Sequence, residues 1–395
     1  MTPNAIDFDV RRDFALTKKV TYMNNGATAP TPLAVVKAVT DYMVKCAEEG
    51  PDSSPVSEYT TSLLAELRRR VAHLINCEPE EVVLTQSTTD GINMVANGIA
   101  WKKGDSVVVR GGSHEHYADY FPWLRLSRDR GVVLSELAID ASGFFDLADL
   151  EKATKGSRLV AMSHALYNTG AIMPLEEAGK IARENGALFC VDAAQSAGTI
   201  RVDVKRIGCH FMAFPGFKWL CGPTGIGILY CSREASEMLT PQSIGGESAI
   251  LSGERGEKVL AYMDMPHRLQ AGFRNYPGAA GLEAALRYVL RIGIDNIRAQ
   301  NTKVANALRQ ELESKTAAVT EFYGPEDGTK RTSIVSFAAK DPAYVVRKLE
   351  ENGVVLAERD VGGGKKAVRA SPHFFNTEEE AARVAALARP LLAPS

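Results

Sequence analysis

No stretch of this chain approaches the ~20 consecutive apolar residues that a membrane-spanning helix needs. The segment Met1–Asp13 lacks the apolar core of a secretion signal. Charge of neither sign is in excess: 46 Lys and Arg stand against 48 Asp and Glu, a formal net charge of −2. Nucleic-acid binders usually carry a basic domain or stripe, so that partner class is set aside, as is the membrane. Six cysteines (Cys46, Cys77, Cys190, Cys209, Cys221, Cys231) are scattered without a Cys-x-x-Cys pair. That argues against zinc ribbons and disulfide frameworks. Histidines are equally dispersed; His114 and His116 could share an ion, but no His-Glu-x-x-His cluster accompanies them, and no metal is expected. Internal repeats and low-complexity linkers are missing too. With 45% hydrophobic and 24% charged residues over 395 positions, a soluble cytoplasmic protein of two or three domains is expected.

What is present alternates. Short apolar runs at Glu81–Thr85, Ser106–Arg110, Gly131–Leu134, Arg158–Met162 and Ala187–Val191 are separated by helical patterns. One of these, Pro174–Gly186, has Pro near its start, apolar residues at helical spacing, and Gly at its end. Continuously apolar strands between helices predict an α/β fold with a mostly parallel sheet covered on both faces. Beyond residue 260 the pattern changes to helices at 277–291 and 294–315, strands at 333–337 and 353–356, and helices at 343–352 and 378–392. The expected division is therefore an N-terminal segment 1–20 packing with the small domain, a large domain 21–260 and a smaller α+β domain 261–395.

The chemistry begins where Leu188-Phe-Cys-Val191 ends in Asp192. A carboxylate there emerges at the carboxyl edge of a parallel strand, where open α/β sheets bind ligands. It is equally the place for a helix cap. Further on, Lys218 lies among apolar residues and glycines in Phe214–Tyr230. Desolvation would lower its pKa and make it a better nucleophile toward a carbonyl. The alternative is a stem packed on Trp219 with its ammonium in water. Gly222, Gly225 and Gly227 do not precede a helix, which weakens a dinucleotide reading. An Asp after a strand, Gln195 three residues later and a desolvated Lys together suggest pyridoxal phosphate. That cofactor needs an amine for its Schiff base and an anion beside its pyridine nitrogen.

From Tyr22-Met-Asn-Asn-Gly-Ala27 to Val368-Arg-Ala-Ser-Pro-His-Phe-Phe-Asn-Thr377 the chain resembles the class V aminotransferase family of fold-type-I pyridoxal phosphate enzymes. Cysteine desulfurases, selenocysteine lyases, cysteine C–S lyases and isopenicillin N epimerases belong to it. The resemblance implies a large domain with a seven-stranded-type sheet and a homodimer with active sites near the subunit interface. Lys218 would hold the cofactor, Asp192 its pyridine nitrogen and Gln195 its ring hydroxyl. Thr88 and Thr89, in Gln86-Ser-Thr-Thr-Asp90, match the phosphate-binding turn, and a helix N-terminus offers free N–H groups to such an anion. His116 matches the residue that stacks on the ring, with a catalytic role beside Lys218. Asn168 is expected among the cofactor contacts, and Asn25 with Arg369 among the contacts to the substrate, whose carboxylate Arg369 would clamp.

The departures from the family pattern matter as much. The loop Leu356–Lys366 has no cysteine, so the nucleophile of a persulfide mechanism is missing there. Phe217 stands where a phosphate-binding His is common, Pro215 replaces a Ser or Thr, and Phe273 replaces a threonine that in many relatives reaches the partner subunit's phosphate. Arg274 would supply compensating charge, or else form a surface salt bridge. Tyr167, before Asn168-Thr-Gly170, stands where desulfurases carry asparagine and is closer to the C–S lyase form. The implied activity is action on a small α-amino acid through an external aldimine and an α-carbanion, with β-elimination first and transamination or epimerisation as alternatives. A non-catalytic cofactor-binding protein is the reading from a different class.

Overall fold

The computed structural model describes residues 8–111, 115–253, 258–313 and 321–392. Two short 3-10 helices, Phe8–Asp13 and Ala15–Lys18, precede strand β1 (Thr21–Tyr22), and seven strands follow that form one sheet. They are β2 (Val82–Thr85), β3 (Ser106–Arg110), β4 (Val133–Leu137), β5 (Leu159–Ser163), β6 (Leu188–Asp192), β7 (Phe211–Pro215) and β8 (Gly227–Cys231). Their spatial order is β2-β8-β7-β6-β5-β3-β4, and β8 alone among them runs against its neighbours. The expected mostly parallel sheet is thus present.

Its side chains alternate between two cores. Val160, Phe189, Val191, Met212 and Phe214 pack on one face, and Leu159, Ala161, Cys190, Phe211 and Ala213 on the other. A strand covered on both sides needs apolar residues at every position. For this reason β5 and β6 are apolar up to their last residues, Ser163 and Asp192, and β7 (Phe-Met-Ala-Phe-Pro), which was not among the expected runs, is apolar throughout. Cys190 is one of those core residues, buried at 0% exposure.

An exposed hairpin follows, β9 (Ala249–Ser252) against β10 (Val259–Tyr262). The C-terminal unit is a four-stranded antiparallel sheet of β11 (Phe322–Tyr323), β12 (Val335–Phe337), β14 (Ala357–Asp360) and β15 (Lys366–Ala370), in the order β11-β12-β15-β14. Strand β13 (Val354–Val355) pairs with β1 in parallel and so ties the N-terminal segment to this unit. Phe14 stacks on Phe375 at 4.4 Å, and Arg11 pairs with Glu380, which reinforces the tie.

One helix sits differently from the sequence division. Tyr276–Ile292 lies beyond residue 260, yet Ala279, Leu282, Leu286 and Val289 are buried in the core on one face of the large sheet. Its small residues explain the fit: Gly281 and neighbouring alanines let the helix lie closely against helix Leu33–Glu49 and Pro223.

Candidate active site

Strand β6 is buried along its whole length and ends in Asp192, 4% exposed. The Asp192 carboxylate accepts a 2.7 Å hydrogen bond from the Ala194 N–H, which fixes it just past the strand end. Burial pushes its pKa up to about 6, against the opposing pull of that N–H and of Lys218. Neighbouring β7 runs parallel to β6 and delivers Lys218 three residues after its end. Desolvation pushes the Lys218 ammonium down to about 8, opposed by Asp192. Two adjacent parallel strands therefore bring an amine and a carboxylate to one edge of the sheet.

The turn carrying Lys218 is tied down from several sides. Trp219 Nε1 donates to Gln195 Oε1 at 2.8 Å, and Gln195 Nε2 donates to the Gly26 carbonyl at 2.9 Å. The Phe217 carbonyl accepts from Ala29 N–H at 2.9 Å. Gln195 thus spends one N–H and its carbonyl on the protein, which leaves one amide N–H for a ligand. Gly26 has a local reason to be glycine: a Cβ there would meet Arg369 and Gln195 at 3.3 Å.

The N-terminus of helix Thr88–Gly98 also borders the pocket. Ser87 caps it by accepting from Asp90 N–H. Thr88 is 6% exposed and its Oγ1 has no hydrogen-bond partner. A buried orphan hydroxyl beside the free N–H groups of a helix start suits an anion. Thr88, Thr89 and Ser87 line the same cavity as Asp192 and Lys218. So do Pro215 and Phe217, which means that the apolar departures noted in the sequence face the site itself.

His116 caps helix Tyr117–Arg130, its Nδ1 accepting from Ala118 N–H at 3.1 Å. Desolvation, together with the charges of Lys218, Arg359 and Arg369, pushes its pKa down to about 4, so the ring is neutral. The Tyr167 ring meets it edge-on at 5.2 Å. Arg369, on β15, is 1% exposed; it donates to the Tyr167 carbonyl at 2.6 Å and to Asn24 Oδ1 at 3.0 Å, and its Nε has no partner.

Sequence reasoning missed Arg359. Register pairs Ala357 with Arg369 and Arg359 with Ala367, so the two arginines are diagonal neighbours on one face of the small sheet. Both charges reach Lys218 and His116. No signal marked it: Arg359 lies in Ala-Glu-Arg-Asp, a strand without an apolar pattern, in a segment read only as a loop.

Other expected contacts do not converge. Asn168 is buried and donates to the Asp360 carbonyl at 2.9 Å, tying β14 to the segment after β5. Like Arg359 and Arg369, it is not among the residues that line the cavity, and unlike them it carries no charge to act on Lys218. Asn25 donates to the Ser371 carbonyl at 2.8 Å, and Asn24 is the one that holds Arg369. Arg274 also lies outside the cavity, bonding the Gln270 carbonyl at 3.3 Å and facing Glu247 at 3.9 Å. His114 lies outside the described residues, and among the described residues no group of three His, Cys, Asp or Glu could hold a metal ion.

The residues present fit pyridoxal phosphate. An amine, a carboxylate beyond it, a neutral imidazole, and an orphan hydroxyl at a helix start all face one cavity. The comparisons agree. A model of the aminotransferase class-V family matches residues 21–384. The probable cysteine desulfurase of Pyrococcus abyssi is 36% identical over 390 residues, covering 94% of each chain. An apo cysteine desulfurase structure from Thermococcus onnurineus NA1 superposes with a TM-score of 0.90 at 35% identity, covering 99% of both chains. The cystine C–S lyase C-DES, in complex with its reaction product cysteine persulfide, gives 0.85 at 27% identity, covering 95% of this chain and 99% of that one. The chain belongs to the class V aminotransferase family, enzymes that use pyridoxal 5'-phosphate to act on amino acids.

Proposed function

We propose that this enzyme is a C–S lyase that eliminates sulfur from the β-carbon of a cysteine-like amino acid. The observation that carries it is the Lys218–Asp192 pair in a cavity whose surroundings offer no thiolate. Leu356–Lys366 contains no cysteine, and Cys77, Cys190, Cys209, Cys221 and Cys231 are all buried. Bound pyridoxal phosphate supplies a ring that withdraws electrons from the substrate Cα.

The chain's own residues do the rest. Arg369 holds the substrate carboxylate, and Arg359 adds positive charge on the same side. Lys218, with a pKa near 8, takes the proton from Cα. The electron pair left at Cα forms the Cα–Cβ double bond as the Cβ–S bond breaks and sulfur leaves with its electrons. Asp192, its charge stabilised by the Ala194 N–H, would pair with the pyridine nitrogen. Neutral His116 would lie against the ring, and Thr88 with the helix start would hold the phosphate. Released 2-aminoacrylate hydrolyses to pyruvate and ammonia.

Product analysis with cysteine and cystine tests this. Pyruvate and ammonia in equal amounts support elimination. Alanine as the main product would show desulfuration, a keto acid retaining sulfur would show transamination, and inverted substrate would show epimerisation. No turnover of any amino acid by cofactor-loaded protein would leave a binding protein.

We also propose a homodimer. Ile250, Leu251, Val259 and Leu260 on the β9–β10 hairpin are exposed, and Phe273 is 88% exposed beside it in the chain. Sedimentation velocity gives the test: a monomer at micromolar concentration rules it out. The division between units is placed near Gly293, because the preceding helix belongs to the large core.

A further inference from the structure

One buried titratable side chain takes no part in the chemistry above. His373 is 0% exposed and follows Arg369 in the segment that leaves β15. Its Nε2 lies 2.9 Å from the Trp219 carbonyl, and its Nδ1 lies 3.4 Å from the side-chain amide of Asn301 on helix Ile294–Glu313. Desolvation pushes the imidazole down to about 3, so the ring is neutral and has one donor and one acceptor. A carbonyl can only accept. Nε2 therefore carries the proton, and Nδ1 accepts from Asn301 Nδ2.

Both sides of this bond are held. On the Arg369 side, Ser371 Oγ accepts from Gly26 N–H at 3.0 Å, and the Ser371 carbonyl accepts from Asn25 Nδ2 at 2.8 Å. His373 N–H donates to Asn376 Oδ1 at 2.8 Å, and Asn376 N–H returns a bond of 2.8 Å to the His373 carbonyl. Ser371, His373, Phe374 and Phe375 are all fully buried, so the segment keeps a fixed relation to Arg369. On the other side, Trp219 follows Lys218 directly, and its indole N–H bonds Gln195. Among the described residues, His373 alone donates to the Trp219 carbonyl. The Trp219 residue is thus where a bond from the Arg369 segment meets a bond from the Asp192 turn.

Taking a proton from Cα requires the C–H bond to be placed against the base, and a misplacement of about 1 Å costs on the order of a hundredfold. Here the base and the carboxylate clamp stand on different sheets. We propose that His373 is a positioning residue for proton removal: through Trp219 it sets the Lys218 amine in register with the carboxylate that Arg369 holds. The assignment rests on the reading of Arg369 as that clamp.

The test uses the full chain saturated with pyridoxal phosphate. His373→Phe keeps a ring between Trp219 and Phe374, whose rings stand 5.0 and 4.5 Å from the imidazole, but loses the donor. It should lower kcat by roughly ten- to a hundredfold with KM little changed, because the carboxylate still binds Arg369. His373→Gln returns an N–H to the Nε2 position and should recover most of kcat. In an Arg369→Ala background, His373→Phe should add nothing, since no held carboxylate remains to be kept in register. A merely structural role lowers both backgrounds by the same factor. The second readout needs no turnover. The Cys221 N–H, bonded to the Lys218 carbonyl at 2.9 Å, reports on the turn by hydrogen exchange. Butyrate, a carboxylate without an amine, should slow this exchange relative to chloride at matched ionic strength. It should do so in wild type and His373→Gln, and in neither His373→Phe nor Arg369→Ala. His373→Asn, which reaches Asn301 but stops short of Trp219, should match His373→Phe and carries the test if the latter does not fold. Equal loss of kcat in both backgrounds, or equal protection by butyrate in wild type and the donor-less variants, overturns the proposal. Wild-type kcat/KM in Arg369→Ala would instead overturn the clamp, and the role of His373 with it.

Discussion

Trp219 Nε1 donates a 2.8 Å hydrogen bond to Gln195 Oε1, joining the turn after β6 to the turn after β7 inside the large unit. Both residues are buried, Trp219 at 0% and Gln195 at 3%. Asp192 precedes the first partner by three residues and Lys218 precedes the second by one. This bond therefore sets the spacing of the carboxylate and the amine.

Trp219→Phe keeps the packing but leaves Gln195 Oε1 without its donor. A buried polar group that loses its partner costs about 1–3 kcal/mol, so the midpoint of chemical denaturation should fall. Cofactor affinity should fall with it, since the Lys218 turn is no longer pinned. Equal cofactor affinity in the variant would mean that the remaining bonds, Ala29 N–H to the Phe217 carbonyl and His373 Nε2 to the Trp219 carbonyl, suffice to hold the turn.

Lys218→Ala should abolish both turnover and the visible band of the bound cofactor in a folded protein. Borohydride reduction and peptide mapping of wild type locate the attachment, and an adduct on another lysine would overturn the assignment. The pKa direction gives a second readout. Because desolvation lowers Lys218 to about 8, the neutral amine appears well below the usual lysine range. The rate at which apo protein captures pyridoxal phosphate should rise with pH and level off above about 8. A midpoint at the ordinary lysine value would show a solvated ammonium.

Thr88→Val removes a hydroxyl that bonds nothing in the protein, so the fold should be unaffected. A hydrogen bond to a charged group contributes about 1.5–3 kcal/mol. Cofactor dissociation should therefore strengthen by roughly ten- to 150-fold, read by equilibrium dialysis. Unchanged dissociation would place the phosphate elsewhere.

Sulfur chemistry can be followed directly. Burial pushes the Cys77 thiol up to about 12 and raises Cys190, Cys209, Cys221 and Cys231 as well. A thiol is reactive as its thiolate, so native protein should label with a thiol reagent at half-buried Cys46 and little else. During turnover of cysteine, sulfur should appear as free sulfide, with no persulfide on the protein by mass spectrometry. A single Cys→Ala variant that stayed folded and cofactor-loaded yet lost all turnover would overturn the elimination mechanism.

The strand ends were legible because two-sided burial writes them as continuous apolar runs, and a charged residue closing such a run is conspicuous. Asp192 emerged in that way; Lys218 stood out among the apolar residues and glycines of Phe214–Tyr230, and the role of Thr88 and Thr89 came from the family resemblance. Strand β8 was hidden in a glycine-rich segment, since Gly227 begins it where the Ser87 backbone passes within 3.0 Å of where a Cβ would stand. Strand β14 reads Ala-Glu-Arg-Asp, with no apolar pattern, because its pairing comes from the backbone and Ala357 is its one buried residue. Without that strand the same-face relation of Arg359 to Arg369 cannot be seen. The choice of Asn24 over Asn25 depends on which side chain turns toward Arg369, which adjacent identical residues do not disclose.

Arg369 carries the last prediction. It sits on β15 of the small unit, whereas Lys218 and Asp192 belong to the large sheet, so a carboxylate held by Arg369 bridges the two. Its bonds to Tyr167 O and Asn24 Oδ1 fix the guanidinium, and its buried Nε remains without a partner. Loss of a buried charge-assisted pair costs about 2–5 kcal/mol, or roughly thirty- to several-thousand-fold. Arg369→Ala should depress kcat/KM for amino-acid substrates by that order while the bound cofactor's spectrum persists. Arg369→Lys should recover only part, because an ammonium cannot form two parallel bonds to a carboxylate. Arg274 no longer stands as the alternative, since it bonds the Gln270 carbonyl and faces Glu247, whereas the charges that act on Lys218 and His116 are those of Arg369 and Arg359. If kcat/KM in folded, cofactor-loaded Arg369→Ala equals wild type, the carboxylate is held elsewhere. Arg359→Ala, from the same face of the small sheet, must then show the loss instead.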